Sequence, residues 1–252
     1  MPPIFLHMAL AKDIQDRVGH PTLEAQRGTF YLGATTPDIR VLTRWDRART
    51  HYFRLETLEH QDSVAAFLEE NRHLKQPEAL DAATLAFVVG YVSHLVLDER
   101  WIQAVYRPYF GQLSALGGDL RANVMDRLLQ FELERRRRCD DGCRDHLCQE
   151  LERAEIAVNI GFLDSETLSR WRQIAVDIAR QPPDWELFQR TASRHLRAAG
   201  IESEAAFREF MEQVPDLLDQ AIRHVSAAQV DAFLEESTEA SVAFIERYLG
   251  CA

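Results

Sequence analysis

Thr84–Tyr106 reads TLAFVVGYVSHLVLDERWIQAVY, one apolar segment into which two ligand-type side chains intrude, His94 and Asp98. Four residues apart on a helix, they project from the same face, one turn above the other. The rest of that face is Phe, Val, Leu and Tyr. Burying an unpaired polar group there costs roughly 2–7 kcal/mol. A metal ion would remove the cost and give the pair a purpose.

Outward from this segment, nearly every stretch shows a helical period and none alternates as a strand does. The pattern predicts helices over 4–18, 22–32, 60–74, 78–107, 117–138, 143–158, 165–180, 184–199, 203–223 and 227–249. Gly19-His20-Pro21 marks the end of the first, and Gly33 followed by Pro37 the end of the second. Pro108 and Gly117-Gly118 bracket a loop, and Pro182-Pro183-Asp184 parts two late helices. The irregular stretch 33–59 is the longest connection, and a long loop in a compact domain is commonly functional. It carries Asp38 and His51. The organisation expected is a helical core over 1–140 with the helices of 141–252 packed on it. No internal repeat or low-complexity tract appears.

The chain has 252 residues and a formal charge of -11. That length supports a proper core, and the charge argues against nucleic acid or an anionic membrane as a general partner. No secretory signal is read at the start. The longest apolar run, Leu85 to Leu97, is short for a membrane span and contains Gly90, Ser93 and His94. A soluble, cytoplasmic protein is expected. The four cysteines fit that compartment as reduced thiols. Three of them surround His146 in CDDGCRDHLC, but their spacing is not that of a zinc knuckle.

Five residues stand out in order: His7 in IFLHMAL, Asp38 in FYLGATTPDI, His51 in THYF, and His94 and Asp98. Gly33-Ala34-Thr35-Thr36-Pro37-Asp38-Ile39, Thr50-His51-Tyr52-Phe53 and Gly90-Tyr91-Val92-Ser93-His94-Leu95-Val96-Leu97-Asp98 follow one another with this chemistry. The series resembles the zinc-dependent phospholipase C family, whose fold is shared with the S1/P1-type nucleases, over roughly residues 1 to 135.

The resemblance implies an all-α, multi-helix phospholipase C/P1 nuclease-like bundle with extra C-terminal helices. It implies that His51, His94 and Asp98 bind one zinc, that Asp98 bridges to a second near His7, and that Asp38 is the catalytic base or an additional ligand. Ala104 stands where the family has a further histidine, and the later H-x-x-x-E pair is missing, with Asp126 the nearest surviving carboxylate. One or two ions are therefore expected rather than three.

The donor types speak independently of the family. Imidazole and carboxylate without thiolate suit Zn, Mn or Fe(II). An ion with an open coordination position lowers the pKa of bound water to about 7, which serves phosphoester hydrolysis. The expected substrate is a small-molecule or lipid phosphoester. Arg40 and Arg100 are the candidate phosphate contacts, with Asp126 and Trp101 as further substrate-binding candidates, although Trp101 reads more readily as a core aromatic than as a pocket wall. Gly90 would let a neighbouring backbone approach closely. Arg135 to Arg138 read as a solvated helix end matched to the dipole, or else as a phosphate anchor. Ser93 has no G-x-S-x-G elbow and is discounted as a nucleophile. The later helices read as scaffold, pocket wall or the surface of a homodimer. Two other readings keep the fold: an iron centre activating oxygen, and a non-catalytic helical module.

Overall fold

The computed structural model describes residues 2–117, 119–182 and 184–251. Gly118 and Pro183, two of the expected loop markers, lie outside the described residues. No strand occurs among those described, so the all-α expectation holds.

The N-terminal part contains α1 (Ile4–Val18), α2 (Pro21–Ala25), α3 (Arg27–Thr35), α4 (Arg40–Thr43), α5 (Arg47–His51), α6 (Ser63–Glu70), α7 (Ala82–Arg100) and α8 (Leu120–Arg138). The later part contains α9 (Asp141–Arg153), α10 (Ser165–Arg180), α11 (Trp185–Ala198), α12 (Glu204–Val225) and α13 (Ala227–Leu249). Local signals explain the ends. Gly19 closes α1 in the left-handed region, returning its N–H to the Gln15 carbonyl. Asp81 caps α7 by accepting from the Thr84 N–H, and Asp164 and Asp184 cap α10 and α11 in the same way.

The centre of the molecule is α7, packed along α3. Its residues from Ala83 to Leu95 are all buried, which is why the segment is apolar on every side. By length and composition the run Ala82–Phe110 is apolar enough to cross a membrane, but 83% of its most apolar window is buried inside the molecule. It is a core helix. Leu147, Trp171 and Ile245, from α9, α10 and α13, join the core formed around α3 and α7. A second cluster gathers Leu6, Leu97, Trp101 and Phe233, and a third packs α8 against α11 and α12 through Phe131, Phe188 and Phe210.

Three expectations need correction. The second helix breaks at Gln26 into α2 and α3, and Gly33 does not end α3, which runs on to Thr35 before the 3-10 turn Thr36–Ile39. Gly33 serves packing instead: a Cβ there would meet the Phe87 carbonyl oxygen at 2.2 Å. Pro108 does not end the central helix, because the chain rewinds as a π-helix over Trp101–Phe110 and contains it. In that wider coil the Gly111 N–H reaches back five residues to the Tyr106 carbonyl. Finally, 33–59 is not irregular throughout, since it holds α4, α5 and the 3-10 turn.

The arginine run is a partly solvated helix end, as expected, except at Arg138. Arg135 and Arg136 both pair with Glu132, and Arg137 pairs with Asp13. Arg138 is fully buried: it donates to Glu134 and to the carbonyls of Ile178 and Gln181, above the Phe5 ring. The run therefore binds α8 to α1 and α10, and its members are occupied by the protein itself.

Candidate metal centre

Four short stretches converge. His7 comes from the first turn of α1, Asp38 from the 3-10 turn after α3, His51 from the last residue of α5, and His94 and Asp98 from α7. The α3–α7 contact sets the geometry. Gly90 has no side chain, and a Cβ on it would lie 2.1 Å from the Phe30 carbonyl oxygen. The close approach brings the Ala34 carbonyl to 2.8 Å from His94 Nδ1. A carbonyl only accepts, so Nδ1 carries the proton and Nε2 is left as a lone-pair donor.

His51 is oriented in a similar way. Its Nδ1 lies 2.9 Å from the Thr50 hydroxyl, which itself donates to the Arg47 carbonyl. The hydroxyl therefore accepts from Nδ1–H, and Nε2 faces inward. His7 and His94 stack, ring centroids 3.7 Å apart and 7° from parallel, a face-to-face contact that two imidazolium rings would resist.

Asp98 is the hub. Its Oδ1 lies 3.4 Å from His7 Nε2, and its Oδ2 lies 3.3 Å from His51 Nε2 and 3.4 Å from His94 Nε2. Asp38 Oδ1 is 3.5 Å from His51 Nε2. These separations exceed those of good N–H···O bonds. They allow electrostatic attraction but leave His7 Nε2, His51 Nε2, His94 Nε2 and Asp98 Oδ1 without a hydrogen-bond partner. At about 1–3 kcal/mol for each such buried group, the set would cost roughly 4–12 kcal/mol. That approaches the whole stability of a domain, about 5–15 kcal/mol. A cation among these atoms relieves it. His7, His94 and Asp98 form one group with donor atoms within 4.8 Å of each other, and Asp38, His51 and His94 form another. The residues fit a divalent ion of the zinc type.

Protonation agrees with that use at every member of the cluster but His94, whose proton an ion would have to displace. Burial, then Arg47, takes the His51 imidazole down to about 4, and burial with the nearby His94 lowers His7. Burial pulls His94 down too, but Asp98, Asp38 and the Ala34 carbonyl outweigh it and leave a net rise. Burial disfavours charge on Asp98, yet His94 and His7 hold its carboxyl well below the ordinary range. The Asp38 carboxyl is likewise held low, against burial, chiefly by His51 and His94. With a side chain 23% exposed, against 4% or less for the other four, it is the member of the cluster that solvent reaches.

The other expected site residues lie elsewhere. Arg40 is exposed on α4. Arg100 points to Glu236 at 3.4 Å and lines a surface cavity with His60 and Glu99. The Trp101 indole is fully buried against Phe233 and donates to Asp126, so it sits in the second core cluster as a core aromatic. Asp126 lines a separate cavity of about 400 Å³ with Arg107, Arg127 and His195. Among the described residues the cysteines around His146 belong to no group that could hold an ion; all four cysteines are free, and His146 Nε2 meets the Tyr31 hydroxyl.

Sequence reasoning missed Arg47. Its Nη2 donates to Asp98 Oδ2 at 3.1 Å, with the side chain 16% exposed. Arg47 precedes His51 by one helical turn, so the spacing that paired His94 with Asp98 would also have found it.

An α-helical protein in which buried imidazoles and carboxylates converge, their lone pairs unclaimed, has the donor set of the class of metal-binding helical proteins. Residues 6–99, which include all five of those side chains, match the family described as zinc dependent phospholipase C. Over that stretch, 94 of the 252 residues, the chain is similar to this family. Searches of curated proteins and of solved structures find no match.

Proposed function

We propose that the protein is a zinc-dependent hydrolase of a phosphate ester, whether phosphodiester, phospholipid-like or phosphomonoester. The single observation that carries this is the set of inward lone pairs on His7, His51, His94 and Asp98, buried and unshared. The family supports a metal-dependent phosphoester hydrolase in general terms.

A bound ion would activate water and neutralise charge on the phosphoryl group. His94 and His51 would ligate through Nε2, each oriented by the partner of its Nδ1. Asp98 and His7 complete the donor set, and Asp38 stands on the solvent side of the cluster. Asp38 is the group placed to take a proton from an attacking water. Arg40, exposed and two residues beyond Asp38 in the sequence, is the proposed contact for a phosphate arriving from solvent. Nothing in this scheme requires nucleic acid or membrane insertion, and a cytoplasmic setting and a homodimer remain part of the proposal.

Elemental analysis of protein purified without added metal, alongside a panel of phosphoester substrates, tests the reading on wild type and Asp98→Asn. The expected result is zinc and hydrolysis in wild type, lost together in the variant. Iron with oxygen-dependent turnover would replace the hydrolase with the oxygen-activating reading. If His94→Ala changes neither metal content nor any hydrolytic activity, the helices form a non-catalytic module.

A further inference from the structure

The hub carboxylate already has a cation on it. Arg47 Nη2 donates to Asp98 Oδ2 at 3.1 Å, on the oxygen that also faces His51 and His94. Arg47 and His51 lie at opposite ends of the same short helix, whose start Asp46 caps through the Ala48 N–H. The segment thus delivers a guanidinium and an imidazole to one carboxylate oxygen.

Two further features bear on how many ions this site takes. Both donor groups, His7 with His94 and Asp98 and Asp38 with His51 and His94, draw on His94. His94 has one nitrogen to give, because Nδ1 is committed to the Ala34 carbonyl. One imidazole lone pair serves one ion, so a second ion would be held by Asp98 and His7 without His94, and Asp98 must then be free to take it. Charge points the same way. Asp38 and Asp98 carry two negative charges and Arg47 one positive charge, so a single divalent ion leaves the buried site with one net positive charge. A second would leave three, with no further carboxylate among the contacts of Asp98 in the described residues, and buried charge without a partner is costly.

We propose that Arg47 takes the place of a second metal ion on Asp98, so that the chain holds one divalent ion and a fixed guanidinium as its second cation. This rests on the metal-binding reading above. Arginine suits the role because its charge persists at any working pH and its planar donors match a carboxylate. Arg47 acts as a positioning residue on Asp98, holding Oδ2 while Oδ1 remains directed at His7.

The test is stoichiometry. Metal-free full-length protein is titrated with zinc, passed through a desalting column and assayed for zinc per chain, for wild type, Arg47→Lys and Arg47→Gln. Circular dichroism establishes that each is folded. We expect one zinc in wild type and in Arg47→Lys, and two in Arg47→Gln. Two zinc ions in wild type overturn the proposal, and that measurement needs no variant to fold. A folded Arg47→Gln that still holds one overturns the role of Arg47 in setting the number. No zinc in wild type is a different failure, that of the metal reading itself.

Discussion

Gly90 on α7 lies against the carbonyl of Phe30 on α3, so close that a Cβ would sit 2.1 Å from the oxygen. Gly33 reciprocates, with the Phe87 carbonyl at 2.2 Å from its own virtual Cβ. Two bare backbone faces are pressed together one turn from His94, and the same contact supplies the Ala34 carbonyl that sets its tautomer.

Gly90→Ala should therefore damage fold and site together. The methyl meets backbone, which cannot rotate away, so the helices must part. Overpacking of this kind costs about 1–3 kcal/mol or more. Denaturant unfolding should show the loss, and calorimetry should show weaker zinc binding. Unchanged affinity would separate the helix contact from the orientation of His94.

Asp38→Asn should keep the ion and lose the reaction. A positioned base contributes roughly 10²–10⁴-fold, and the amide keeps the shape but has no basic oxygen to take a proton. Zinc content close to wild type with turnover reduced by that factor is the expected pair of results. Loss of zinc as well would make Asp38 a ligand.

Arg138→Met should destabilise more than any exposed arginine of its run. It leaves Glu134, whose side chain is 5% exposed, buried without its partner. Breaking a buried pair from one side costs about 3–5 kcal/mol. The double substitution Glu134→Leu with Arg138→Met should recover much of that in thermal unfolding, since neither charge is then stranded.

In the metal-free protein, an NMR titration should place the His51 midpoint near 4. Because the folded state binds this proton less tightly than the unfolded chain, with its ordinary value of 6.5, the group's contribution to stability is complete above about 6.5. It is lost as the pH falls toward 4, a span worth roughly 3 kcal/mol. His94 runs the other way: its raised value makes its contribution present below 6.5 and lost as the pH rises through the folded value. A His51 midpoint near 6.5 would mean that the ring is not held neutral among the buried groups.

Much of this architecture was written in the chain. The limits of α1, α10 and α13 agree with the hydrophobic period and its punctuation, because Gly19 and the Asp164 cap act within a few residues of the helix they end. His94 and Asp98 could be paired for the same reason, since one turn of helix fixes their relation. The boundary at Gly33 was misread. Glycine ends helices when left-handed backbone is needed and permits contact when another helix presses on it, and only the partner distinguishes the two uses. Pro108 was misread because a π-helix can absorb it.

Tertiary structure alone decided what surrounds Asp98. Helices α1 and α5, far from α7 in sequence, bring His7, Arg47 and His51 to that one carboxylate, and the chain's local pattern carries no record of which ends meet. The sequence determined that helices would form and which donors they would bear. Packing determined that Arg47 joins the cluster, that Trp101 and Arg138 are enclosed, and that Arg100 turns to Glu236, because distance and burial arise only when the helices close on one another.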